Sequence, residues 1–386
     1  MALTGTATNI AFAHRDWIQE PGTVLTGSNW LAGLPLTNLQ NYDLSRVARS
    51  TTPDALTPYI LVDFGVALTP PITGIIFPKH NLFQTARWRI RIGSDPSFSL
   101  GTVAYDTRPT LGTTTSLTSL IVGAPQTLTL IVAAALTFFP GVNVVIKSNA
   151  DPTGTYMLGT VVSYDNDAKR LVVTASTAVG SGSFSDWTVV RQDSDITVWP
   201  QVIPLGEGWW GAGYTWGGLL KVDPSYRPPA IHLIPLATGD ITPIYQRYLR
   251  IDLSDPDNPD GYIDISKLVV SPIYQPTINL PYGWEIEMLD PSPKGRTRGS
   301  RFWVDPRPPY PLLSISLSHL QRDEMFTQAW ELERRLGVKL PCAVIVDPTT
   351  TTHLHRLFVY GSLVRTSKIR EEPYGFTKSF EFEGWT

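Results

Sequence analysis

Residues 248–270 limit the possible folds more than any other stretch. They read YLRIDL, then SDPDNPDG, then YIDISKLVV. Tyr248, Arg250 and Asp252 alternate with Leu249, Ile251 and Leu253, a period of two that marks a half-buried strand. Between Asp255 and Gly261 stand two prolines, three aspartates, an asparagine and a glycine, which is turn chemistry and no part of a ladder. Tyr262, Ile263, Ile265, Leu268, Val269 and Val270 then resume an apolar, β-branched strand. A second group of the same character lies far upstream: YILVDFG at 59–65, ITGIIF at 72–77 and WRIRI at 88–92. Two such groups predict an antiparallel β-sandwich closed by strands from both halves of the chain.

Composition agrees with a mainly β chain. The 386 residues suffice for two or three domains, and a 42% hydrophobic share can fill sizeable cores. Thirty-three prolines and thirty glycines suit many turns. A net charge of -3 supplies no basic field, so no nucleic-acid partner is expected. The single cysteine, Cys342, excludes internal disulfides, so the fold does not depend on an oxidising compartment. Apolar strand residues flank it and predict a buried, inert thiol. The start, MALTGTATNIAFAHRDW, lacks the basic and apolar pattern of a signal peptide. The most apolar window, 128–146, is interrupted by Thr129, Thr137, Pro140, Gly141 and Asn143, so it reads as strands and no membrane span is expected.

Along the chain, residues 1–58 offer short apolar anchors for a segment wrapped over the sandwich. Residues 110–187 change character: they are rich in Thr, Ser, Val, Ala and Gly, with a turn signal at 164–169. They predict a small β-domain inserted in a surface loop. Residues 291–300, PSPKGRTRGS, are polar and breaker-rich and mark a boundary. Beyond it, 323–336 is the one convincing helix. Met325, Phe326, Ala329, Leu332 and Leu336 form its apolar face, Asp323 and Glu324 open it, Arg334 and Arg335 close it, and Gly337 ends it. Strands are predicted at 313–317, 342–346, 354–363 and 377–382. The expected domains are therefore 1–109 with 188–290, an insert at 110–187, and a C-terminal unit at 291–386.

Two resemblances give this outline a family reading. NLQN at 38–41, YILVDFG, ITGIIF and WRIRIGSD resemble, in pattern more than in letters, the first half of a galactose-binding-like (discoidin-type) jelly roll. The C-terminal strand–helix–strand–hairpin order, with Asp347-Pro348, Arg356, Tyr360-Gly361, Leu363 and Phe380-Glu-Phe-Glu383, resembles the ring-forming domain of bacteriophage distal tail proteins and implies a C-terminal β-barrel or sandwich carrying one α-helix. GSGSFSDW at 180–187 is similar to small modules of tail and tail-fibre proteins. Together they imply a structural, non-enzymatic component of a phage tail tip or baseplate, assembled in the host cytoplasm and carried in the virion. Its partners would be copies of itself in a homo-oligomeric ring, hexamer or trimer, and the tube, hub and fibre proteins of the tail. Host surface glycans are a further expected partner of the sandwich. The alternative is a stand-alone carbohydrate- or receptor-binding oligomer.

Candidate chemistry is sparse. No GxSxG, HExxH, P-loop or CxxC occurs, and no cofactor is expected. Trp209, Trp210, Tyr214 and Trp216 sit in a glycine-rich loop where rings stack on sugars or pack on the protein itself. Asp255, Asp257 and Asp260 crowd one loop and form a candidate Ca²⁺ site, although Pro259 and Ser266 break the EF-hand order. His353 and His355 share one strand face, a weak metal pair. Tyr360, Phe380 and Phe382 are the expected oligomer interface, because strands 354–363 and 377–382 are expected to leave open edges.

Overall fold

The structure is a computed structural model. It describes residues 9–53, 58–68, 71–83, 85–98, 103–107, 114–132, 143–151, 154–165, 168–191, 199–202, 229–234, 245–296, 298–349, 354 and 356–385. The fold is mainly β, 47% strand and 8% helical, which excludes an α/β arrangement. Two compact units divide the chain: Met1–Tyr105 with Gln201–Thr386, and Asp106–Pro200.

The larger unit is a stack of four layers. Its first layer is a five-stranded sheet in the order Val24–Ser28, Tyr59–Asp63, Tyr248–Ser254, Arg87–Gly93, Val103–Asp106, antiparallel across its first four strands. The YLRIDLS strand is its centre: Ile251 faces Ile60 on one side and Ile90 on the other. The second layer is a three-stranded sheet, Ala230–Leu233, Gly74–Phe77, Val269–Ser271. Its successive residues point to opposite faces. Ile75, Phe77 and Val270 join the core with the first sheet, built on Ile60, Val62, Ile90, Ile92 and Ile251. Ile76, Ile231, Leu233 and Val269 face the other way, onto Ala11, Ala13, Ala343 and Ile345. A strand covered on both faces must be apolar at every position, which is why GIIF does not alternate.

The third layer is an eight-stranded sheet. Its main path runs Ile273–Tyr274, Ala11–Ala13, Pro341–Ile345, Phe358–Leu363, Gly375–Gly384, Tyr310–Leu320, Glu285–Leu289, and Ile369–Glu372 pairs with Gly375–Gly384. The fourth layer is the helix, α over Arg322–Glu324, π-type over Met325–Ala329, and α again over Trp330–Leu336. Met325, Ala329, Leu332 and Leu336 bury against Phe12, Leu313, Val344, Phe380 and Phe382. Phe326, expected on that face, lies one position beyond the buried stripe; it is 46% exposed and meets Phe376 edge-on at 5.7 Å. Gly337 ends the helix at φ 50°, and its N–H donates to the Glu333 carbonyl.

This layering corrects the expected division at 290/291. Ala11–Ala13 hydrogen-bonds to both Ile273–Tyr274 and Pro341–Ile345, and Glu285–Leu289 pairs with Tyr310–Leu320. The sheet thus takes three strands from the stretch assigned to the sandwich. Edge backbone groups need partners wherever they come from in the sequence, and patterning cannot report which distant strand supplies them.

The smaller unit, Asp106–Pro200, contains the expected insert 110–187. Its antiparallel sheet runs Gln126–Ile131, Arg170–Val179, Tyr156–Asp165, Asn143–Ser148, Trp187–Arg191, Thr114–Ser116. Leu128, Leu130, Val144, Ile146, Met157, Leu171, Val173 and Val189 form the core around Trp187, whose Nε1 donates to the Phe184 carbonyl at 2.9 Å. At Gly159 the register shifts; a Cβ there would lie 2.7 Å from the Thr174 carbonyl oxygen.

Candidate functional site

The sequence candidates fare differently in the structure. Trp209, Trp210, Tyr214 and Trp216 lie outside the described residues, as do His353 and His355. Tyr360, Phe380 and Phe382 are corrected as interface residues: all three are buried in the protein's own core. The strands that carry them are interior. Phe358–Leu363 has partners on both sides, and Gly375–Gly384 pairs with three strands.

The acidic loop is tied into its surroundings by its own carboxylates. Asp255 is fully buried and accepts from the Phe83 N–H at 2.9 Å and from Asn258 Nδ2 at 2.8 Å. Asp260 accepts from Asn81 Nδ2 at 3.0 Å, while Asn81 Oδ1 receives the Asp264 N–H at 2.7 Å. Asp264 holds Arg49 through two contacts of 2.8 and 2.7 Å, and that guanidinium stacks on Tyr262. Asp257 stays exposed. Asp255, Asp257 and Asp260 therefore point to different tasks, and no group of three metal-ligating side chains occurs among the described residues. The loop joins the segment 81–83 to the end of the central strand.

Sequence periodicity misreads that strand's polar face. Asp252 is buried, not solvated: it holds Arg91 at 2.6 Å and Arg250 at 2.8 Å, and Arg250 lies over the Tyr59 ring at 3.9 Å. Burial drives the Arg91 guanidinium below its usual range, with Asp252 opposing the shift. Two further buried pairs were not readable in the sequence. Lys378, fully buried, meets Glu333 at 2.5 Å between the Trp330 and Phe380 rings, and Glu333 also receives the Ser367 N–H. Lys267, also fully buried, meets Asp16 at 2.6 Å. Each ties separate segments together, and spacings of 45 and 251 residues leave no local signal (378 − 333; 267 − 16).

Among the described residues, large apolar side chains are exposed together along an arm at residues 278–310. Its strand Glu285–Leu289 is the last in the eight-stranded sheet and pairs on one side with Tyr310–Leu320. Glu285, Ile286, Glu287 and Met288 are all exposed, so both faces of the strand meet solvent. Tyr282 is fully exposed and Met288 is 66% exposed. The following hairpin pairs Lys294–Arg296 with Phe302–Val304. Phe302, Trp303 and Val304 are exposed together. Cross-strand partners share a face, so Lys294 and Arg296 lie beside Val304 and Phe302, while Trp303 is opposite Gly295 on the other face. A Cβ at position 295 would stand 2.9 Å from the Trp303 indole nitrogen, so glycine lets the ring lie across the neighbouring strand.

In the sequence, residues 278–289 of the arm read as a last strand or the start of a linker, and 291–300 as the linker itself. PSPKGRTRGS reads as a boundary because breakers dominate it, and FWV is too short to register as a strand. Alternation of Ile286 and Met288 with Glu285 and Glu287 was the available signal. Neither a scan of protein-family models nor a search of curated proteins finds a match to this chain.

Proposed function

We propose that the protein is a structural, non-enzymatic component of a bacteriophage tail tip or baseplate that assembles as a homo-oligomeric ring. The carrying observation is the arm: a sheet edge with apolar residues on exposed strands. Such an edge is a template for another chain, and soluble proteins blunt or cover it. Clusters of exposed large apolar groups mark interaction sites. The sequence resemblances supply the setting, since the C-terminal strand–helix–strand–hairpin order resembles that of ring-forming tail domains.

The finer fold reading fits the same proposal. A five-stranded sheet over a three-stranded one supports a galactose-binding-like jelly roll, with residues 106–200 as the inserted module. The C-terminal sheet with its helix supports the distal-tail-like part. Host glycans and neighbouring tail proteins are its proposed outer partners, and the virion its proposed location. Negative-stain images and light scattering of the full chain test the reading. Closed particles of one defined symmetry support it. A monomer at every concentration overturns it.

A further inference from the structure

Resting on that reading, we infer that the arm docks head to tail on a second copy of this chain, and that its receptor is the aromatic patch where the helix meets the last hairpin. The patch is built from Phe326 and Trp330, one helical turn apart, with Phe376 packed edge-on against Phe326. Phe326 and Trp330 are 46% and 44% exposed, and Tyr374 in the adjoining turn is 82% exposed. Glu371 pairs across the strands with Phe376 and so shares its face. Asp323, also exposed, lies in the first turn of the same helix.

The two surfaces match in chemistry. One hairpin face offers Phe302 and Val304 beside Lys294 and Arg296. Residues 294–304 carry four cations, Lys294, Arg296, Arg298 and Arg301, and no acid. The receptor offers aromatic faces beside Glu371 and Asp323. Cations on the hairpin meet both carboxylates and ring faces, the pairing that gives an interface its register. Within one chain both surfaces remain exposed: Phe302 is 63% uncovered while Phe326 is 46% uncovered. The contact is therefore made between copies. Because arm and receptor are different patches, the interface is heterologous, and repetition closes a ring when the rotation allows it.

Two variants that each break one half test this. Arg296→Glu with Phe302→Asp alters the arm; Phe326→Asp with Glu371→Arg alters the receptor. Unchanged circular dichroism and melting show that each still folds, and a receptor variant that melts early is replaced by Glu371→Arg with Tyr374→Asp. Each variant alone should be a monomer at concentrations where the unaltered chain is oligomeric. Mixed together, they retain one intact arm and one intact receptor, and should form a heterodimer that grows no further. Variants that alone keep the full oligomer, or a mixture that stays monomeric, overturn the docking while leaving ring assembly standing. An unaltered chain that never oligomerises overturns the assembly reading itself.

Discussion

Two strands of the same unit are treated in opposite ways. Gly74–Phe77 lies in the middle sheet, with all four residues buried. Glu285–Leu289 ends the outer sheet, with four of its five residues exposed. The first is apolar at every position because sheets cover both its faces. The second alternates charge with Ile286 and Met288, the pattern of a strand with one face to be covered. Within one chain neither face is. The difference sets the two parts of the unit apart: the body completes its own layers, whereas the arm presents a strand whose faces this chain leaves exposed, the face that the proposed assembly would cover.

The contrast breaks first if the body is not held by its distant strands. Phe12 touches Tyr274, Phe380 and Phe382 and is fully buried. Phe12→Ala should cost about 5 kcal/mol, the upper end for a buried aromatic, measured by urea unfolding. A loss under about 1 kcal/mol would show that the N-terminal strand is not part of the C-terminal sheet. Lys378→Met leaves Glu333 buried without its cation and should cost about 4 kcal/mol. Lys378→Met combined with Glu333→Leu should recover most of that loss, because the unpaired charge is gone.

Acid supplies a third test of the body. Burial holds the imidazoles of His14 and His232 down to about 4 from 6.5. Each is neutral when folded and binds its proton more readily when unfolded. Stability is therefore unaffected above pH 6.5, falls as pH drops below 6.5, and the loss is complete below about 4. Each histidine contributes about 3 kcal/mol to that loss. In unfolding measured across this range, His232→Phe should show a shallower decline than the unaltered chain. Parallel curves would mean that His232 is not buried neutral beside Tyr105, whose hydroxyl lies 2.6 Å from its Nε2.

The smallest effect on folding belongs to the arm. Met288→Ser removes an exposed thioether and should change unfolding free energy by under about 0.5 kcal/mol. It should nevertheless lower the oligomer fraction in light scattering. A large loss of stability with unchanged assembly would reverse the contrast and place Met288 in the body.

How much of this was legible in the sequence follows from locality. The central strand and the buried helix stripe were readable because each obeys a period within a few residues, and the two-sided strands near 74–77 and 269–271 because each is a short, unbroken apolar run. Sheet membership was not: Ala11–Ala13 pairs with residues more than 250 positions away, and AFA carries no address. The same limit misplaced the interface. Tyr360, Phe380 and Phe382 looked like open edges because their strands' partners, Pro341–Ile345, Tyr310–Leu320 and Ile369–Glu372, could not be assigned from pattern. Conversely, the arm was hidden by breakers that mark both linkers and tight hairpins.

Amide hydrogen exchange in the full chain, followed across a dilution series, tests most directly whether the arm is a surface that a second copy covers. Protection of 285–304 should be strong at concentrations where the protein is oligomeric and should fall on dilution, in step with 323–330 and 371–376, while the amides of 74–77 stay protected throughout. Fast exchange of 285–304 at every concentration, in a chain that is still oligomeric, would contradict it.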